Sequence, residues 1–293
     1  MSEAITIIPL TTMAHMLQVE QLQRKVWPAS ETDVVPAHLL VTVAHNGGVV
    51  RGAMVGERMV GFILGFLGTD EGSPGRPALA RLKHCSHMMG VLPDFRGRGV
   101  AYRLKSAQRK QVLEQGIRLA TWTYDPLLSV NAYLNIRRLG AVCRRYRREV
   151  YGEMRDGLNE GLPSDRFEVE WWVTSNRVNQ RMDQNRKPLE FGHFQAGGAQ
   201  QLNPAELDPG GLPRPSPRPA RPAGAMALAE IPSDFLALKE THMSLAAEWR
   251  AHSRELFEGC FAAGYLVTDF VLDQRQTPTR SYYVLSQGDY TLG

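Results

Sequence analysis

Residues 89–101 read Met-Gly-Val-Leu-Pro-Asp-Phe-Arg-Gly-Arg-Gly-Val-Ala: an apolar run, a proline turn, then an arginine- and glycine-bearing step into a basic helix. That order fixes a strand-turn-helix unit. Glycines at 97 and 99 let the backbone curl tightly, so that successive N–H groups and the unsatisfied donors of the helix's first turn converge on one point. Physically this is an anion cradle into which a pyrophosphate fits. A P-loop would need Gly-x-x-x-x-Gly-Lys-Ser/Thr, which does not occur here, and a dinucleotide fingerprint would need a small residue where Tyr102 stands.

The periodicities around this unit lay out a mixed chain. Residues 5–9 read as a strand, 11–26 as a helix stopped by Trp27-Pro28, and 49–55 and 59–67 as strands joined at Gly56-Glu57-Arg58. A third run, 82–91, enters the motif; 96–115 reads as a helix with Val100, Leu104 and Ala107 on one side and Gly116 as its cap. A strand at 117–124, a short helix at 129–139 and strands near 141–151 and 167–174 follow. Seven of the 18 prolines fall in 203–225, which reads as an extended spacer. One helix over 235–264 and strands at 265–272 and 281–285 close the chain. The expected domains are residues 1–178, a linker over 179–230, and a tail at 231–293 that extends the sheet in cis or across a homodimer.

With 43% hydrophobic and 22% charged residues, the chain is an ordinary globular one and not a disordered or fibrous one. The most apolar stretch, 59–67, is far short of the roughly 20 residues of a membrane span. Cys85, Cys143 and Cys260 are odd in number and widely spaced, and the first ten residues carry no signal-peptide pattern, so a reduced, cytoplasmic protein is expected. A net charge of +4 permits an anionic ligand without demanding nucleic acid, and no nucleic-acid-binding motif stands out.

The strand-turn-helix unit resembles that of the GCN5-related N-acetyltransferases, whose motif is Arg/Gln-x-x-Gly-x-Gly/Ala after Val-x-Pro. Arg96, Gly99 and Ala101 match it, with Val91 and Pro93 upstream. The order of elements from residue 5 to 174 is similar too; the proline-rich interval and the tail lie outside the resemblance. It implies an α/β fold with a mixed, mostly antiparallel central sheet flanked by helices, here with a C-terminal helix-and-strand extension. It also implies an acyl-CoA-dependent N-acyltransferase that moves an acetyl, succinyl or other acyl group from coenzyme A to an amine of a small molecule such as an amino acid. By the same resemblance Met89, Gly90 and Val91 contact the pantetheine arm, and Arg96, Gly97, Arg98, Gly99, Val100 and Ala101 hold the pyrophosphate. Ser129 and Asn131 are further cofactor contacts, with helix capping the bland alternative for Ser129.

Acyl transfer to an amine needs a base, because an ammonium is no nucleophile, and it benefits from an acid for the leaving thiolate. The tyrosine that often serves as acid in the family is replaced by Ile136, so Tyr133, Tyr146, Tyr151 or a water is left for that role. His87, which by the period of two shares a face with Cys85 and Met89, and Asp125, at the end of the fifth strand, are the foremost candidate bases. The bland alternatives are a hydrogen-bonded strand histidine and an Asp-Pro turn. Glu170 is a third carboxylate in an apolar strand, for which a solvent-facing place is expected. His84, Cys85 and His87 suggest a metal, but 84 and 87 point to opposite faces of a regular strand, so no metal is expected. Because Ile136 stands in the acid's place, a catalytically inactive coenzyme-A-binding scaffold is the alternative.

Overall fold

Alternating apolar residues become strands close to where the spacing puts them. In a computed structural model, which describes residues 4–28, 31–72, 74–154, 160–183 and 185–288, the first strands are β1 (Ile5–Pro9), β2 (Val49–Val55), β3 (Arg58–Thr69) and β4 (Leu82–Val91). They pair antiparallel in that order, and the β2–β3 hairpin turns at Gly56, whose φ of +57° suits glycine. β5 (Leu119–Tyr124) joins β4 in parallel at His84↔Ala120 and Cys85↔Thr121. The helices here are α1 (Met13–Val26), α2 (Ala37–His45) and α3 (Val100–Glu114). Thr12 caps α1 by accepting from the His15 amide at 3.3 Å, and Met16, Val19 and Leu22 of that helix enter one core with Phe62 and Ile63. The sequence reading assigned no element to α2, which follows Pro36 and buries Ala37 and Leu40.

Contacts divide the chain inside β5, with a first unit ending at Trp122 and a second beginning at Thr123, rather than at the expected boundary of 178. The second unit contains α4 (Ser129–Ala132), which runs on as a π-helical turn over Tyr133–Arg138, then β6 (Val142–Arg147), β7 (Arg166–Trp172), α5 (Asn176–Met182) and α6 (Phe191–Ala196). After these come β8 (Gln200–Gln201), β9 (Glu206–Leu207), β10 (Pro213–Arg214), β11 (Met226–Ile231), α7 (Phe235–Thr241), α8 (Met243–Ala262), β12 (Tyr265–Asp273) and β13 (Arg280–Gln287). Its strands lie in the order β7-β6-β12-β13-β11-β8, antiparallel except for β11–β8. Within each unit the expected mixed, mostly antiparallel sheet with flanking helices is present, and the tail extends a sheet in cis, since Val267 of β12 pairs with Cys143 of β6.

Two expectations about the second half are corrected. The interval 179–230 is no plain spacer: it holds α6, the β9–β10 hairpin and β11, and it is tied down by hydrogen bonds that composition does not reveal. Asn203 donates to the Glu230 carbonyl at 2.9 Å and accepts from its amide at 2.8 Å, while the Trp249 indole donates to the Pro213 carbonyl at 2.8 Å. Prolines that cannot donate to a ladder still accept, as Pro213 does, and the Asn203, Glu230 and Gln200 side chains fasten the rest of the segment. The helix expected over 235–264 is two helices that break at His242, which serves as the C-cap of one and the N-cap of the next.

Candidate functional site

The cradle has the expected backbone. Gly97 and Gly99 adopt φ of +74° and +75°, in the left-handed region that glycine enters without strain. A Cβ at either position would meet nothing within 4 Å, so there is open space beside both glycines. Intrahelical bonding of α3 begins with Arg103 N to Gly99 O at 3.1 Å, so the amides of Val100 and Ala101 lie in the helix's first turn, where an α-helix has no acceptor of its own to offer. Arg96 and Arg98 are exposed beside them, and the Arg98 guanidinium rests 5.1 Å from the centre of the Phe95 ring. Val100 is buried and anchors the helix, while Ala101 follows on its first turn. Open space at the glycines, the first turn of a helix and two exposed cations fit a diphosphate.

β4 supplies the second part. Leu92 N donates to Val60 O at 2.9 Å, and the pairs Phe62↔Gly90 and Leu64↔Met88 continue that alternation. In an antiparallel ladder the residues between such pairs turn their N–H and C=O groups to the opposite edge, here Met89 and Val91. Among the described residues the β4–β5 ladder ends at Cys85↔Thr121, so that edge of Met89 and Val91 is free of strand pairing; Arg96 Nε donates to the Val91 carbonyl at 3.3 Å. Gly90, expected as a cofactor contact, turns its backbone to β3 instead. Its missing side chain makes room for Phe62 and Trp27, which a Cβ would meet at 2.9 and 3.3 Å.

His87 is the extra residue of a β-bulge: the register passes from Leu64↔Met88 to Gly65↔Ser86 and skips it. The bulge changes the facing predicted from a period of two. Met89 lies opposite Ile63 and Ser86 opposite Gly65, on one face, whereas Cys85 lies opposite Phe66 on the other. The His87 ring sits 5.8 Å from the Phe66 ring, so it keeps company with Cys85 but not with Met89. His87 is exposed, yet its neighbours desolvate it enough to hold its pKa below the usual 6.5.

Beneath β4 lies a polar cluster that the sequence reading missed. Lys105 Nζ donates to Ser86 Oγ at 2.8 Å and to Gln108 Oε1 at 3.3 Å, and it stands 3.4 Å from the centre of the Trp122 ring. Gln108 Nε2 is 3.0 Å from His84 Nε2. Burial pushes the pKa of Lys105 well below its ordinary value, and burial, helped by Lys105, pushes His84 down to about 4. The one available signal was the stripe of α3: the helix buries Val100, Leu104, Lys105, Gln108 and Val112, whereas Ala107, expected there, is only partly covered.

In the second unit the remaining candidates are engaged as follows. Asp125 binds Arg250 through Oδ2 and accepts from the Leu127 amide through Oδ1 at 2.9 Å, so both carboxylate oxygens are occupied in a turn and a buried ion pair. Ser129 donates to the Ser233 carbonyl at 2.6 Å and does not cap α4, whose N-cap is Leu128. Asn131 is half-buried on the same short helix. Tyr133 opens the π-helical turn, 40% exposed, on the wall of a cavity of about 840 Å³. Tyr146 donates to Asp165 at 2.8 Å, Tyr151 shares a 2.7 Å hydrogen bond with Thr123, and Glu170 accepts from the Trp172 indole at 3.1 Å. Among the described residues no group of three or more His, Cys, Asp or Glu side chains could hold a metal ion, and no helix is long and apolar enough to cross a membrane.

No family model and no curated protein matches this chain. Among solved structures it is similar to Arabidopsis thaliana NAA60 in complex with a bisubstrate analogue, at 18% identity and TM-score 0.46, over 58% of this chain and 98% of that one. It is similar also to an N-acetyltransferase from Staphylococcus aureus, at 12% identity and TM-score 0.45, over 58% and 99%. A third is the ribosomal-protein-S18-alanine N-acetyltransferase of Escherichia coli, at 12% identity and TM-score 0.43, over 63% and 99%. These are likenesses of fold, and they assign no role to any residue.

Proposed function

We propose that the chain is an N-acyltransferase of the GCN5-related type, taking an acyl group from coenzyme A to an amine of a small molecule such as an amino acid. The observation that carries this reading is the pairing of two features in the first unit: a glycine turn with open space beside it that leads into a helix N-terminus, and a strand edge at Met89 and Val91 left without a ladder among the described residues. A diphosphate suits the first, and the amide-bearing arm of coenzyme A suits the second, because freed strand groups hydrogen-bond an extended amide chain as they would a neighbouring strand.

In this reading Arg96, Arg98 and the amides from Gly97 to Ala101 bind the diphosphate, and Met89 and Val91 align the arm. An N–H on that edge stabilises the oxyanion formed when the amine attacks the thioester carbonyl. His87, neutral at pH 7 and outside the ladder, accepts the ammonium proton. Asp125, whose oxygens are both taken, is assigned to holding the turn, and Tyr133, on the wall of the second unit's own cavity, is given no part in the transfer.

Calorimetry with coenzyme A at low ionic strength, followed by thiol release from acetyl- and succinyl-CoA with amino acids, polyamines and N-terminal peptides side by side, tests the proposal. Binding with turnover on a small amine supports it. Turnover on peptides alone overturns the acceptor class, binding without turnover on any amine favours a scaffold, and no binding removes the reading altogether.

A further inference from the structure

The second unit carries its own cavity, of about 840 Å³, between α6, β12 and the π-helical turn, within the size range of small-molecule sites. Its charge is unbalanced on one side. Arg137 lines it, donating to Asp269 Oδ2 at 3.1 Å and to the Leu189 carbonyl. Arg181 grips the same carboxylate at 2.8 Å through both oxygens, and Arg177 donates to the Gly140 carbonyl at 3.0 Å and to that of Thr268. The charges that Arg177 and Arg186 feel are Asp269 and other arginines. Asp269 thus pairs directly with two guanidiniums, those of Arg137 and Arg181, with Arg177 beside them on the Thr268 carbonyl, and Asp269 and Arg137 are each no more than a tenth exposed. Burial, with repulsion from Arg181, pulls Arg177 down to about 10.

Of the acids lining the cavity, Glu190, next to the Leu189 carbonyl that Arg137 binds, supplies one counter-charge while capping α6, and Asp273 is held by Arg275 at 2.9 Å and by Gln276 at 3.3 Å, which leaves the arginines around Asp269 in excess. Buried cations in excess are costly without a counter-charge, and an arginine lining a cavity presents donors suited to a planar carboxylate. Tyr133, Phe191 and Phe270 give the cavity an aromatic wall against which an apolar body packs.

We infer that this cavity binds a small organic carboxylate with an aromatic or branched apolar body, its anionic head toward Arg137. The site goes beyond the proposed acyl transfer and stands whether or not the glycine cradle binds coenzyme A.

The test is calorimetric titration of the full chain with phenylacetate, phenylacetamide, inorganic phosphate and coenzyme A separately, and with phenylacetate in the presence of saturating coenzyme A. Phenylacetate should bind one to one, weaken as salt rises, and exceed its amide by roughly tenfold or more, the worth of one charge-assisted hydrogen bond. Arg137→Gln should remove that preference and Arg137→Lys should keep part of it. Because Arg137 belongs to a buried pair, Ala196→Trp, which fills the cavity from an exposed position on α6, should also abolish binding with an unchanged melting curve. Equal affinity for acid and amide, phosphate binding in place of phenylacetate, retention of binding in the Ala196 variant, no binding at millimolar ligand, or displacement of phenylacetate by coenzyme A would each overturn the assignment.

Discussion

The two units bury positive charge in opposite ways. In the first, Lys105 is enclosed by a serine hydroxyl, a glutamine and an indole, and burial drives it toward the neutral amine. In the second, arginines meet carboxylates across long stretches of chain: Arg250 with Asp125, Arg254 with Asp165 at 2.9 Å, Arg181 with Asp269 at 2.8 Å, and Arg280 with Glu230 at 3.3 Å. In the first unit Arg24 pairs with Glu20 at 3.0 Å and with Glu31 at 2.9 Å on a part-exposed surface, whereas the second gathers strands from both sides of a proline-rich interval. Buried ion pairs there act as fasteners whose breaking is more damaging than their making is helpful.

That contrast can be broken most visibly at Asp125. Asp125→Ala leaves Arg250 buried without its partner and should lower stability by about 3–5 kcal/mol in urea unfolding. Normal stability with lost thiol release would instead return Asp125 to the catalytic group. Next comes the pH response of His84. Its folded pKa of about 4 lies below its unfolded value, so its contribution is complete above pH 6.5 and is lost as pH falls toward 4. The loss should reach about 3 kcal/mol at most, and His84→Gln should flatten that part of the curve.

Gly99→Val should cost about 1–2 kcal/mol of backbone strain and weaken coenzyme A by more than about tenfold. Gly116, at φ +71° and away from the cradle, is the control: Gly116→Val should show the strain and leave coenzyme A binding unchanged. The smallest effect is expected at Lys105→Met, which replaces a buried amine by an apolar side chain of similar length. Stability should rise by about 1 kcal/mol while thiol release falls, because Ser86, next to the bulge, loses its tether. Unchanged turnover would make Lys105 a packing residue only.

Legibility follows the same divide. β1, β2 and β4 were readable to the residue, because each is an apolar-rich run bounded by glycine, proline or charge. The cradle was readable because a positive φ at 97 and 99 demands glycine within a span of three residues. The bulge was not, since nothing local marks His87 as an insertion until β3 is laid beside it. Nor was the fastening of Asn203, whose partner Glu230 stands 27 positions away in sequence. Lys105 and Gln108 hid among the charges of a basic helix, where a buried lysine looks like any solvated one.

Remove His87 in thought and every β3–β4 partnership on either side of it stays as it was, for Met88 already faces Leu64 and Ser86 already faces Gly65. The sheet would lose nothing it uses for cohesion. A side chain with no partner in the ladder can be exchanged at the cost of its contact with the Phe66 ring, which makes position 87 the place where a protein engineer could retune proton affinity while the strand pairing stands still.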